Sequence, residues 1–206
     1  MRALIVNTSL KKSSETSNTQ ALLENSVQLF SENDIHVETV RLADYSIVYG
    51  ITHKKVDDHD QWPEILDKVK EADILLIGTP LWIGEKSSLC TLFMERLYGS
   101  SSITNDKGQY HYYNKVAGVA ITGNEDGAKD AAKSVIYGLS HIGFTIPPNV
   151  DTYWVGEAGP GESYIEAGGN QNEFTQNHSK IMTYNLMHFA KLLKNYPIPA
   201  EGNVIE

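Results

Sequence analysis

The feature that most limits the possible folds is a set of short apolar runs that alternate with helical patterns. Three of the runs are Ala3–Asn7, Ile74–Gly78 and Val116–Ile121. A strand that is buried on both faces of a parallel sheet is apolar throughout, whereas a half-exposed strand alternates. The three runs therefore predict central strands of a parallel sheet, with helices packed on both sides.

The segments between these runs complete an alternating order of strands and helices. His36–Val40 predicts a second, more exposed strand, and a fifth strand is expected at either Phe144–Ile146 or Thr152–Trp154. Apolar residues recur at helical spacing in five places, which are about 18–31, 62–71, 87–97, 128–142 and 174–194. Short connections between strands and helices favour an α/β, flavodoxin-like three-layer sandwich with a five-stranded parallel sheet in the order 2-1-3-4-5.

The length and the pattern predict one domain over residues 1–206. The chain has 206 residues, enough for a substantial core, and it shows no internal repeat and no linker. The strands and helices of the expected core occupy about residues 1–150. A carboxyl-terminal extension follows over about residues 151–206, with a Gly-rich segment, Gly156–Gly169, and then a long helix whose stripe is Met182, Leu186, Phe189 and Leu193.

Composition narrows the classes of partner. Hydrophobic residues make up 41% and charged residues 21% of the chain, and the formal net charge is -9. Binding to nucleic acid or to an anionic membrane surface needs clustered Lys and Arg, so we expect neither partner. No apolar run approaches the roughly 18 residues of a membrane helix. Cys90 is the only cysteine, so an intrachain disulfide is excluded and a reducing cytoplasmic location is expected.

Three unusual loops are expected at one edge of the sheet, where the carboxyl ends of the strands lie. Loop 1, Ser9–Thr19, holds several hydroxyl groups, Lys11 and Lys12 before a helix. Exposed N–H groups and the helix dipole make such a place suitable for an anion. A purely structural role is also open, because Ser17 or Asn18 would cap the helix.

Loops 2 and 3 follow the third and fourth strands. Loop 2, Thr79-Pro80-Leu81-Trp82-Ile83-Gly84, offers a planar indole and a glycine that lets backbone approach a ligand. Loop 3, Thr122-Gly123-Asn124-Glu125-Asp126-Gly127, offers free amides between two glycines. Each loop alone could be an ordinary turn. Together the three loops describe a phosphate cradle and two walls that would hold a flat, conjugated ligand.

These loops resemble those of the flavodoxin-like NADPH-dependent FMN reductase family. The family's phosphate loop is matched by Thr8-Ser9-Leu10-Lys11 and Ser17-Asn18-Thr19, and its flavin loop by Thr79-Pro80-Leu81-Trp82 followed by Phe93 and Arg96. The resemblance covers roughly the first 150 residues. It implies that FMN is bound by Ser9, Lys11, Ser17, Asn18, Thr19, Pro80, Leu81, Trp82, Ile83, Gly84, Thr122, Gly123, Asn124, Asp126 and Gly127.

The resemblance also implies an activity and an assembly. An enzyme of this family would pass hydride from NAD(P)H through FMN to a small acceptor, such as a quinone, a nitro or azo compound, or a flavin, and FMN rather than a catalytic side chain would carry the chemistry. The family relationship implies a homodimer or homotetramer. Two alternatives stay open: a flavodoxin-type one-electron carrier for a protein partner, and a shell without cofactor, since Thr8 and Leu10 replace the family's Gly and Pro.

Two groups of residues have simpler interpretations than a reactive site. Cys90 lies on the helix after loop 2, where a lone cysteine is usually a small apolar filler. His53 and the acidic run Asp57–Asp60 resemble a metal cluster but lack a fixed ligand spacing. A solvated acidic loop is the favoured interpretation, and no metal site is expected.

Overall fold

The computed structural model describes residues 1–159 and 161–204, so Pro160 of the predicted Gly-rich segment and the last two residues of the predicted extension lie outside the described residues. None of the helices formed by the described residues has both the length and the apolar character that a membrane span requires. The strands are β1 Arg2–Asn7, β2 His36–Arg41, β3 Ile74–Trp82, β4 Glu85–Lys86, β5 Val116–Gly123 and β6 Asp151–Val155, and the α-helices are α1 Asn18–Glu32, α2 Trp62–Glu71, α3 Ser88–Tyr98, α4 Ala128–His141 and α5 Glu173–Asn195.

Five strands form a parallel sheet in the order β2-β1-β3-β5-β6. With the short antiparallel β4 set aside, this is the predicted order 2-1-3-4-5, and the predicted flavodoxin-like fold is confirmed. Of the two candidates for the last strand, Thr152–Trp154 lies in β6. Phe144–Ile146 contributes one bridge between Thr145 and Val116.

The structure corrects the predicted end of the third strand. The sequence predicted a strand that ends at Gly78 and a loop from Thr79 to Gly84, whereas β3 continues to Trp82. The added residues are ordered by an antiparallel hairpin, in which Leu81 pairs with Lys86 and Trp82 with Glu85. Ile83 and Gly84 form its two-residue turn with φ values of 52° and 75°, as the right-handed twist of a tight hairpin requires. Loop 2 is therefore the tip of a hairpin.

Helices cover both faces of the sheet. On one face α2, α3 and α4 bury a cluster that includes Trp62, Phe93 and Val135. Cys90 is fully buried in this cluster, which agrees with its predicted role as a filler, and burial raises the pKa of its thiol to about 11. On the other face α1 and α5 pack side by side over a second cluster.

Helix α5 completes the second helical layer. Met182, Leu186 and Leu193 of the predicted stripe are buried against α1 and the sheet, and Phe189 is partly buried. Two buried hydroxyl groups join the helices, since Oγ of Ser26 lies 2.8 Å from Oγ1 of Thr183. The predicted extension thus supplies the last strand of the sheet and half of one helical layer.

A buried ion pair anchors the long segment between β2 and α2. Nη2 of Arg96 lies 2.9 Å from Oδ2 of Asp60, and both side chains are fully buried. The guanidinium also donates to the carbonyls of Val48 and Lys54, and its Cζ lies 5.3 Å from the ring centroid of Trp62. The prediction that Asp60 belongs to a solvated loop is therefore wrong. In the described part of the chain, no three His, Cys, Asp or Glu side chains group as metal ligands would.

Candidate functional site

Loops 1, 2 and 3 meet at the carboxyl ends of β1, β3 and β5 and surround a cavity of about 600 Å³. This is the edge at which open α/β sheets bind ligands. The volume falls within the range of about 300–1,000 Å³ that is usual for small-molecule and cofactor sites. The structure brings most of the predicted site residues together in its wall: Ser9, Lys11, Ser17, Asn18, Thr19, Pro80, Leu81, Trp82, Thr122, Gly123 and Asn124.

Loop 1 presents hydrogen-bond donors to the cavity. Ser17 caps α1, because its Oγ accepts from the N–H of Gln20 at 3.2 Å, and it also lies 3.5 Å from Nδ2 of Asn7. A hydroxyl group that accepts in this way retains a proton to donate. Among the described residues, the N–H groups of Asn18 and Thr19 have no protein acceptor. The start of α1 thus combines free N–H groups, a hydroxyl proton and nearby Lys11, which suits an anion.

Two hydroxyl contacts hold loop 1 against the neighbouring strands. Oγ1 of Thr19 lies 2.9 Å from Oγ1 of Thr122, and both residues are buried. Thr8 donates from Oγ1 to the carbonyl of Gly78 at 2.8 Å. Thr8 replaces the family's usual Gly, and its hydroxyl gives that position a structural contact to β3.

The hairpin tip is fastened to loop 3. The N–H of Ile83 donates to Oε1 of Glu125 at 2.7 Å. A Cβ added to Gly127 would lie 2.3 Å from the carbonyl oxygen of Gly84, so the two backbones are in close contact, and Gly127 has a φ of 114°. Only glycine adopts this conformation readily with so little room. The contact fixes Trp82, whose side chain is 54% exposed at the mouth of the cavity.

Four predicted site residues lie outside the cavity wall. They are the hairpin tip, Ile83 and Gly84, and the end of loop 3, Asp126 and Gly127. Ile83 is 94% exposed and points into solvent. The hairpin tip and the end of loop 3 contact each other outside the cavity wall, and this contact holds the hairpin in position.

The described part of the Gly-rich segment forms a further wall, which we call the strap and define as residues 156–159 and 161–169. Nδ2 of Asn124 donates to the carbonyls of Gly161 and Glu162 at 2.7 and 2.8 Å. Oδ1 of Asn18 accepts from the N–H of Ile165 at 3.0 Å. The strap therefore runs from loop 3 to loop 1, and two asparagines of the predicted site hold it in place.

Sequence reasoning missed several wall residues, namely Leu10, Glu125, Gly159, Ser163 and Tyr164. Leu10 and Glu125 lie inside loops that were singled out. The strap residues were harder to predict as wall residues, because their distinctive feature in the sequence is a tyrosine among many glycines. Tyr164 packs edge-on against Trp154, and a Cβ at Gly169 would lie 2.2 Å from its ring. The glycines thus make room for aromatic side chains.

The cavity wall carries few charges. Lys11 and Glu125 are the charged residues among the described wall residues. Next to the wall, the N–H and hydroxyl of Ser163 donate to Glu166 and lower the pKa of its carboxyl group, and the charge of Lys11 acts in the same direction. Positive charge thus lies in loop 1 with the anion donors, and negative charge lies beside the hairpin tip.

Comparison with known proteins identifies relatives with flavin-related names. The model of the NADPH-dependent FMN reductase family matches residues 1–158. The 8-demethyl-8-aminoriboflavin-5'-phosphate synthase of Streptomyces davaonensis is 36% identical over 205 residues, which are 96% of this chain and 80% of the relative. A solved structure of RosB with the bound intermediate 8-demethyl-8-formylriboflavin-5'-phosphate is also 36% identical, with a TM-score of 0.87 over 96% of this chain and 82% of RosB.

Two further comparisons say less about function. A protein of Mycobacterium bovis named divalent metal cation transporter MntH is 43% identical over 199 residues, or 94% of this chain. The chain spans only 29% of that relative's length, and transport is said of that protein alone. An archaeal flavodoxin superposes with a TM-score of 0.58 at 14% identity, which is a likeness of fold.

Proposed function

Because this chain belongs to the NADPH-dependent FMN reductase family, we propose that it binds FMN between loops 1, 2 and 3 and takes electrons from NAD(P)H. The observation that carries the proposal is the composition of the cavity wall. Anion donors at the start of α1 lie at one part of the wall, and the indole of Trp82 with apolar Leu81 lies at another. FMN has a phosphate group and a flat ring system, so the donors and the apolar surface match its two parts.

The residues of loop 1 would hold the phosphate group. The hydroxyl of Ser17, the N–H groups of Asn18 and Thr19, and the ammonium of Lys11 are suited to donate to its oxygens. Hydrogen bonds to an ionised group are about twice as strong as neutral ones. These donors also lie at the positive end of the α1 dipole, which favours the anion further.

The hairpin and the start of loop 3 would hold the ring. Trp82 offers a planar face, and Pro80 and Leu81 offer apolar contact. Gly123 makes room for Leu81, because a Cβ at Gly123 would lie 2.5 Å from Cβ of Leu81. FMN held in this way would supply the redox chemistry, which is hydride transfer from a nicotinamide and onward transfer of electrons. The chain would position the ring, exclude water by means of the strap, and set the charge around the ring. The acceptor we propose is a small molecule such as a quinone, a nitro or azo compound, or a flavin.

The RosB-like relatives support a second candidate, in which the flavin phosphate is a substrate. The synthase carries a modified flavin phosphate in its name, and RosB binds an intermediate with a formyl group at position 8. The identity of 36% over nearly the whole chain favours a related ligand in the same cavity. This candidate needs the same phosphate donors and the same aromatic wall, but the ring of the flavin would be changed during the reaction.

Absorption spectroscopy of the purified protein tests these candidates. We expect FMN to co-purify or to bind on addition, and NADPH or NADH to bleach its visible absorption within seconds under anaerobic conditions. Mass analysis of the released flavin should then show unmodified FMN. A modified flavin would support the second candidate, and bound FMN that no nicotinamide reduces would support the flavodoxin-type carrier. A protein that binds no flavin would contradict all three.

We also propose that the chain forms a homodimer or homotetramer, because α5 exposes several large apolar side chains: Phe174, Ile181, Tyr184 and Leu192. Met182 and Leu186 of the predicted stripe are buried within the chain and do not contribute to this surface. We expect light scattering at micromolar protein to give at least twice the monomer mass of 22.9 kDa. A mass near 23 kDa at that concentration would contradict the assembly.

A further inference from the structure

Glu125 differs from every other described residue of the cavity wall, because it brings a negative charge to a site that otherwise favours an anion. It is partly buried, and Oε1 accepts from the N–H of Ile83 at 2.7 Å. This contact holds the carboxylate at the hairpin tip, at the residue that follows Trp82 in the chain. Among the described residues, no basic side chain lies within ion-pair distance of it.

We propose that Glu125 lowers the reduction potential of the bound flavin. The proposal rests on the function proposed above and adds a tuning residue to the same site. Reduction by two electrons and one proton leaves the ring system of FMN with one more negative charge at neutral pH. Charges placed near the ring are one of the main means by which a protein sets the potential of a flavin.

The sign of the effect follows from Coulomb's law. The carboxylate of Glu125 repels the added negative charge and therefore destabilises reduced FMN relative to oxidised FMN. Partial burial strengthens this repulsion, because the effective dielectric constant is lower there than in water. The phosphate carries the same charge in both redox states, so Lys11 and the donors of loop 1 stabilise the two states nearly equally. The expected result is a flavin that gives its electrons up readily to an acceptor.

The chain offers a variant that removes the charge and keeps the contact. In Glu125→Gln the amide oxygen can still accept from the N–H of Ile83, so the hairpin tip stays in place. Asp126→Asn is the matched control, because Asp126 is the next residue, is exposed and lies outside the cavity wall. Both variants change the net charge equally, and only the first changes the charge of the wall.

Potentiometric titration of the FMN-loaded proteins tests the proposal. We expect Glu125→Gln to shift the equilibrium toward reduced FMN by about tenfold, which is about 30 mV for a two-electron couple. The Asp126→Asn variant should stay within a third of that shift, and the affinity of each variant for FMN is measured so that all potentials are compared on fully loaded protein. Equal potentials in the wild type and Glu125→Gln, or equal shifts in both variants, would overturn the role of Glu125.

The same titration separates this proposal from the proposed function. If FMN binds but NAD(P)H does not reduce it, a dye-mediated titration still gives the potentials, so the role of Glu125 is judged independently of the electron donor. If the wild type binds no flavin, both proposals fail together. FMN binding is therefore measured first, by gel filtration with detection of the flavin absorption.

Discussion

Replacing Arg96 by Met is expected to reduce the free energy of unfolding by about 3–5 kcal/mol, because it leaves the carboxylate of Asp60 buried without its partner. The two side chains are fully buried and lie 2.9 Å apart. The variant also removes the donors to the carbonyls of Val48 and Lys54. Domains of this kind are stable by only about 5–15 kcal/mol, so the loss should be visible as a large drop in the midpoint of urea unfolding.

A second substitution distinguishes the buried charge from lost packing. In Arg96→Met with Asp60→Asn, an amide oxygen in the place of Oδ1 can still accept from the N–H groups of Val48 and Trp62, the N–H of Val56 loses its acceptor, and no charge remains. We expect this pair of substitutions to recover a substantial part of the lost stability. If Arg96→Met does not fold well enough to measure, Arg96→Lys should show a smaller loss, since lysine keeps the charge without the planar fork. A loss below about 1 kcal/mol in Arg96→Met would contradict the energetic role.

The same pair predicts how stability depends on pH. Burial opposes ionisation of Asp60, but the N–H groups of Val56, Trp62 and Val48 and the Arg96 guanidinium outweigh it, so its pKa is lowered. A carboxyl group with a lowered folded pKa stabilises the protein above its unfolded pKa of about 3.9, and this contribution is lost as the pH falls through the folded value. In Arg96→Met the acid-induced loss should become smaller.

Replacing Ser17 and Thr19 together by Ala is expected to weaken FMN binding by about tenfold or more. A hydrogen bond to a charged group contributes ~1.5–3 kcal/mol, so loss of the Ser17 hydroxyl accounts for about tenfold, and loss of the contact between Thr19 and Thr122 loosens the start of α1 in addition. Both side chains line the cavity at the start of α1. The measurement is the dissociation constant for FMN and, in parallel, for riboflavin, which lacks the phosphate group.

Comparison of the FMN and riboflavin affinities shows whether the lost contacts are contacts to the phosphate group. The riboflavin affinity of the double variant should stay within a few-fold of wild type, because the Ser17 hydroxyl would donate to the phosphate and the Thr19 hydroxyl contacts Thr122 rather than the ligand. Loss of the Ser17 cap also costs about 1 kcal/mol of stability, and Asn172→Ala, which removes the cap of α5, controls for this away from the cavity. An unchanged FMN affinity would show that the phosphate lies elsewhere.

Local sequence patterns predicted the elements of the fold well, because each pattern had a local physical cause. The uniformly apolar run at Ile74–Ile77 gave a buried strand, and Gly143, with a φ of 110°, follows α4 as a helix terminator. The end of β3 was predicted too early because Pro80 suggested a break. Pro80 lies in register with Thr122, and the hairpin that follows depends on pairing that no local signal at Thr79 reveals.

Contacts between distant segments could not be predicted from the sequence. Loops 1 and 3 were recognised because each follows a predicted central strand. Tyr164 and Ser163 of the strap reach the cavity through long-range contacts, such as the one between Asn18 and the N–H of Ile165. Asp60 looked like one of several acidic residues in a loop, and its burial is explained by Arg96, which lies 36 positions later in the numbering.

The tie between Asn18 and Ile165 has a consequence for the order in which the protein matures. It joins residues 147 positions apart, and the elements on either side of the strap, β6 and α5, begin at Asp151 and Glu173. A chain emerging from the ribosome can form β1, α1 and β3 early, but its cavity gains its last wall only after these later elements have been synthesised. A ligand that binds only the native form stabilises that form by mass action. On the proposed function, flavin uptake would follow the formation of β6 and α5, and binding would stabilise chains in which the strap is in place.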